Sequence, residues 1–119
     1  MQYAILIYSD PARWAQLSKE EHHQIHRACG EWHEQLVTQK KSVHCLALEG
    51  IATATTVREQ AGKAFFTDGP FAETREVLGG LELIECSNLD EALGIARAFP
   101  GLRAGLSVEV RPLKTGCLE

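Results

Sequence analysis

Two stretches of this chain, Gln2–Tyr8 (QYAILIY) and Leu81–Cys86 (LELIEC), carry apolar residues on both sides of an extended strand. Successive side chains of a strand point to opposite faces. Apolar residues in both directions therefore imply strands at the centre of a sheet, covered on both faces. Neither stretch approaches the roughly 18 apolar residues that a membrane helix needs. The N-terminal run is also short for a secretory leader, with no basic residue ahead of it, so a strand is expected there.

The rest of the chain supplies partners for those strands. Ser18 and Glu21 form a capping box, in which the serine accepts from the amide of Glu21 and the glutamate reaches back. Ile25, Ala28, Cys29, Trp32 and Leu36 follow at helical spacing, which predicts a helix from Ser18 to Gln39. Val43–Leu48 alternates as a strand. Ala54–Arg58 and Ala64–Thr67 flank Gln60–Lys63 and read as a hairpin. Asp68-Gly69-Pro70 is a turn signal, and Ser9-Asp10-Pro11 ends the first strand. Gly79-Gly80 opens the strand Leu81–Cys86. Asn88 and Glu91 start a second helix, which Pro100-Gly101 stops. In Leu106–Leu113, Leu106, Val108 and Val110 face one way, and Ser107, Glu109 and Arg111 the other.

This order predicts an α+β, ferredoxin-like βαββαβ domain with an inserted hairpin, spanning residues 1–119. Two helices cover one face of a four-stranded sheet. A second copy of the same sheet is the economical cover for the other, which predicts a homodimer.

At Thr67–Glu76 (TDGPFAETRE) the chain resembles the signature of the YCII-related (DGPF) family. The resemblance extends to Ala54–Arg58, Gly79-Gly80, Leu89–Leu93 and Val108–Leu113. Arg75 stands where the family usually has lysine, which keeps the charge but changes the donor geometry. The resemblance implies a dimeric α/β barrel with a cleft holding a histidine–aspartate pair. It also implies kinship with an enzyme that removes chloride from a chlorinated hydroxyquinol. Some relatives are fused to, or encoded beside, sigma-factor-like proteins. Asp68 matches the aspartate proposed as catalytic in wider relatives, whose histidine lies on the first long helix.

The residues themselves offer a site on that helix. His22, His26, Cys29 and His33 fall within about 60° of arc, at the edge of the apolar stripe. A half-buried imidazole there suits acid–base work. Asp68 follows the apolar run Ala64-Phe65-Phe66, where lost solvation favours a general base; the bland alternative is a carboxylate that caps its own turn. The expected catalytic set is Asp68 with His33 or His26. Arg75 is the expected anion anchor, or else part of a solvated charged loop, and Trp32 and Phe71 are expected as cleft wall or core. A metal shared by the helix stripe is set aside, because His22 and His33 lie about 16 Å apart along the axis. Ligands from another element would be needed, and His44 is the histidine on a neighbouring strand. No metal or other cofactor is expected.

Composition narrows the function classes. The formal charge of −4, with no basic block, argues against nucleic acid as a partner. Four cysteines without a C-x-x-C pair fit reduced thiols and a cytoplasmic setting. No dinucleotide, P-loop or serine-hydrolase motif is present. Two readings follow. One is a cofactor-free enzyme using an Asp/His acid–base pair on a small cyclic or aromatic metabolite. The other is a non-catalytic module that binds a metabolite or a sigma-factor-like protein.

Overall fold

The computed structural model describes residues 1–116, so Cys117 lies outside the described residues. Six strands run through it: β1 (Gln2–Ser9), β2 (Ser42–Ala47), β3 (Thr55–Gln60), β4 (Lys63–Asp68), β5 (Val77–Glu85) and β6 (Ser107–Pro112). The helices are α1 (Pro11–Ala15), α2 (Lys19–Thr38) and α3 (Leu89–Arg97). The main sheet has the order β2-β5-β1-β6, and β3 and β4 pair separately. All the pairings are antiparallel. This is the ferredoxin-like strand order with the hairpin inserted between β2 and β5. No helix among the described residues is long and apolar enough to cross a membrane.

Local chemistry sets the element ends. Ser18 Oγ accepts from the Glu21 amide, and Glu21 Oε1 accepts from the Ser18 amide, so the capping box is complete. Asn88 caps α3 by accepting from the Glu91 amide. Asp10-Pro11, expected only to end a strand, also starts α1. Asp10 accepts from the amides of Ala12 and Arg13, and Pro11 takes the first helical position, where no amide hydrogen is missed. Ala61 (φ 52°) and Gly62 (φ 78°) make the tight two-residue turn that joins β3 to β4. The 3₁₀ segment Pro100–Ala104 follows α3 where a stop was expected.

The core lies between the sheet and the two longer helices. Tyr3, Ile5 and Ile84 meet Trp32 and Leu36 of α2, Ala92 and Ala96 of α3, and Phe99. Trp32 donates its indole N–H to the Ile95 carbonyl at 3.1 Å and meets Phe99 edge-on. Along β5 the buried residues Gly80, Glu82 and Ile84 alternate with half-buried Gly79, Leu81 and Leu83. Leu6 is likewise half-buried, and Leu46 is exposed.

β5 begins at Val77 and runs through both glycines, rather than opening after them. The reason is the close approach of β2. A Cβ at Gly80 would lie 2.7 Å from the Leu46 carbonyl oxygen, whereas one at Gly79 would meet nothing closer than 3.9 Å. Gly80 therefore admits the neighbouring backbone at the place where the site is built.

Candidate active site

Glu82 is a fully buried carboxylate on the helix-facing side of β5. Such a group needs partners, because losing water costs an ion several kcal/mol. Two side chains, one from each of two other elements, supply them. His33 of α2 brings Nδ1 to 3.0 Å from Oε2 and 3.1 Å from Oε1. Ser42 donates its hydroxyl to Oε1 at 2.6 Å. The Cys45 sulfur lies close by, within 4.8 Å of the Glu82 carboxylate and the His33 ring nitrogen.

Backbone geometry explains this convergence. Ser42 and Cys45 are three residues apart, so in a regular strand they would point to opposite faces. The β2–β5 register shifts between Ser42 and His44, and that irregularity turns both side chains toward Glu82. On the helix, Trp32 enters the core, which leaves His33 at the rim with its side chain 29% exposed. Burial, and then the Glu82 carboxylate, push the Cys45 thiol up to about 11. The ligating atoms of His33, Cys45 and Glu82 all lie within 4.8 Å of one another.

Cys45 also lines a cleft of about 700 Å³. Its walls are mostly apolar, with Ile7, Trp14, Ile25, Ile51, Phe99 and Leu106 among them. The ionisable groups on this lining are His26, Cys29, Cys45 and Glu49. The His22 ring stacks on Trp14 at 4.6 Å, and His26 lies at 5.7 Å from the same indole. The helix stripe thus divides: its N-terminal half holds Trp14 at the cleft, and His33 holds Glu82. Burial raises the Cys29 thiol as well.

The other expected residues lie elsewhere. Asp68 is exposed at the end of β4, and among the described residues its carboxylate makes no hydrogen bond or ion pair, so it and the histidines are not brought together within one chain. Trp32 is in the core. Phe71 is 77% exposed, and its carbonyl accepts from Arg58. Arg75 pairs with Asp10 at 3.0 Å and holds that carboxyl below its ordinary range. Both border a second, polar cleft with Arg13, Thr74 and Glu76. Sequence reasoning missed Glu82. Its signal was present: a carboxylate in phase with Ile84 and Cys86, on the side of the strand that must be buried.

A buried carboxylate thus lies beside an apolar cleft on a ferredoxin-like α+β domain. The chain belongs to the YCII-related family, whose domain profile matches residues 1–114. It is 40% identical over 114 residues to an uncharacterized protein of Rhizobium meliloti (strain 1021), covering 95% of this chain and 92% of that one. A solved structure of similar fold is 5-chloro-2-hydroxyhydroquinone dehydrochlorinase (TftG) from Burkholderia phenoliruptrix AC1100, in complex with 2,5-dihydroxybenzoquinone. The two superpose with a TM-score of 0.58 at 17% identity, covering 98% of this chain and 96% of that one.

The thiol geometry sets a pH-dependent reactivity. A thiol raised from 9.0 to about 11 is protonated at neutral pH, and its nucleophilic thiolate appears only as pH climbs toward that value. In chelator-treated protein, iodoacetamide should label Cys45 slowly at pH 8 despite its exposure, and progressively faster up to pH 11. Glu82→Gln removes the carboxylate's share of the shift and should speed labelling at pH 9. Rapid labelling of Cys45 at pH 8, followed by mass spectrometry, would contradict this picture.

Proposed function

We propose that this chain is an acid–base enzyme that takes a small cyclic or aromatic metabolite into the apolar cleft. The observation that carries this reading is the cleft itself. A space of about 700 Å³ with apolar walls and few ionisable groups suits a ligand of one or two rings. Its thiols are raised by burial, which favours proton transfer over thiolate attack. His26 and Glu49 are the lining groups suited to moving a proton. A neighbour of the same fold, the dehydrochlorinase, acts on a hydroquinone, which supports an aromatic substrate. His33 serves this site from behind, by compensating Glu82. Asp68 takes part only if a second copy's hairpin brings it to the cleft.

The test uses 2,5-dihydroxybenzoquinone and related phenols as probes. Saturating ligand at about 100 times its Kd adds roughly 2.7 kcal/mol of stability and raises Tm. Ile51→Arg places a charged chain in the cleft and should abolish the shift. On any substrate that turns over, His26→Ala should lower kcat by about 100-fold or more, while Asp68→Asn separates the two acid–base assignments. A thermal shift that persists in Ile51→Arg would overturn the cleft as the binding site.

The dimeric α/β barrel belongs to the same proposal. Leu6, Leu46, Leu81 and Leu83 lie on strand faces that the helices leave open, and a two-fold pairing of sheets buries them. A second reading, a regulatory module for a sigma-factor-like partner, is favoured by one observation. The hairpin and the turn after it expose Val57 (59%), Phe66 (72%) and Phe71 (77%). Sedimentation separates the surfaces. Leu83→Lys should convert a dimer to monomer, whereas Phe66→Ser with Phe71→Ser should leave the dimer intact and weaken only a hetero-complex. A wild-type protein that is monomeric at micromolar concentration sinks the barrel.

A further inference from the structure

The cluster around Glu82 has the composition of a metal site. Imidazole nitrogen, thiol sulfur and carboxylate oxygen are the donor types that zinc takes together. Here they come from three elements, α2, β2 and β5, so the fold holds them in place rather than one flexible loop. All three donor atoms fall within 4.8 Å of one another. A tetrahedral zinc ion with bonds of about 2.0–2.3 Å spaces its ligands roughly 3.3–3.8 Å apart. The His33–Glu82 contacts at 3.0 and 3.1 Å need open by a few tenths of an ångström, and the Cys45 sulfur, the donor farthest from the others within the 4.8 Å limit, closes in by a rotation of its side chain.

We propose that His33, Cys45 and Glu82 bind one divalent metal ion of the zinc class, leaving a fourth coordination position open on the side of the cleft that Cys45 lines.

Charge and supporting contacts favour this assignment. A neutral imidazole, a thiolate and a carboxylate balance a divalent cation, so the cluster becomes neutral. The thiol proton is released to solvent as the sulfur–metal bond forms, and the proton shared between His33 Nδ1 and Glu82 is released or passes to Nε2 as the nitrogen–metal bond forms. Ser42 acts as a positioning residue, since its hydroxyl fixes Glu82 Oε1 at 2.6 Å and so directs the carboxylate. Three protein ligands and one open position make the arrangement of catalytic rather than structural zinc. The site lies on a different part of α2 from His22 and His26, so it does not draw on the rest of the histidine stripe.

The inference stands on donor geometry and not on the enzymatic reading, and its test reads the metal directly. Full-length protein, stripped with chelator, is titrated with cobalt(II) and then zinc(II). Cobalt should bind at one equivalent and give a near-ultraviolet thiolate-to-cobalt charge-transfer band, which zinc then abolishes. The band should vanish in Cys45→Ser and persist in Cys29→Ser. Ser42→Ala should weaken cobalt binding about 10- to 100-fold. These variants spare the buried carboxylate, so the test holds even if Glu82→Gln fails to fold. Absence of saturable binding would mean that the cluster is only a satisfied hydrogen-bond network. A charge-transfer band surviving in Cys45→Ser would place the metal at another cysteine. Either result overturns the proposal and leaves the cleft reading standing.

Discussion

A carboxylate with no exposed surface governs this structure. Glu82 sits where β5 must present apolar side chains to the helices, and an unpaired ion there is untenable. His33 answers it from α2 and Ser42 from β2, with the Cys45 sulfur nearby. One buried carboxyl group thereby ties the first long helix and an edge strand to a central strand. The requirement reaches back into local geometry. The packing of Trp32 and Leu36 turns α2 so that His33 reaches the rim, and the register shift after Ser42 turns two residues of β2 inward.

The same region shapes the cleft. Gly80 lets the β2 backbone come close to β5, so that Cys45 faces the carboxylate on one side and the cleft on the other. Trp14, held by His22 and His26, forms another wall. A polar cluster and an apolar cavity therefore share a residue, Cys45. That adjacency gives the site its chemical range: apolar walls to desolvate a ring, and donors within reach of it.

Features with local causes were legible in the sequence. The two caps, the Ala61-Gly62 turn, the alternation of β6 and the two-faced strands each depend on residues a few positions apart, and each appears where expected. The strand order followed from those elements. The site was legible only in part. The helix stripe marks His33 and His26, but their surroundings depend on which residue lies across the sheet. Glu82 looked like one half of an ordinary alternation, although its phase with Ile84 marked it as buried. The DGPF stretch drew attention to Asp68 because a distinctive signature suggests function, yet in the single chain that carboxylate sits on an exposed hairpin. Helix α1 is not legible in the sequence, because Asp-Pro ends a strand and starts a helix with the same two residues.

The most direct test of this account is a double-mutant cycle between Glu82 and His33, measured by urea denaturation at neutral pH. The account predicts a coupling of roughly 1 kcal/mol or more between Glu82→Gln and His33→Gln, because each residue compensates the other across the helix–sheet boundary. Additivity within about 0.5 kcal/mol would contradict it. Glu82 would then be held by something other than the imidazole, and the cluster would not be the organising contact of the fold.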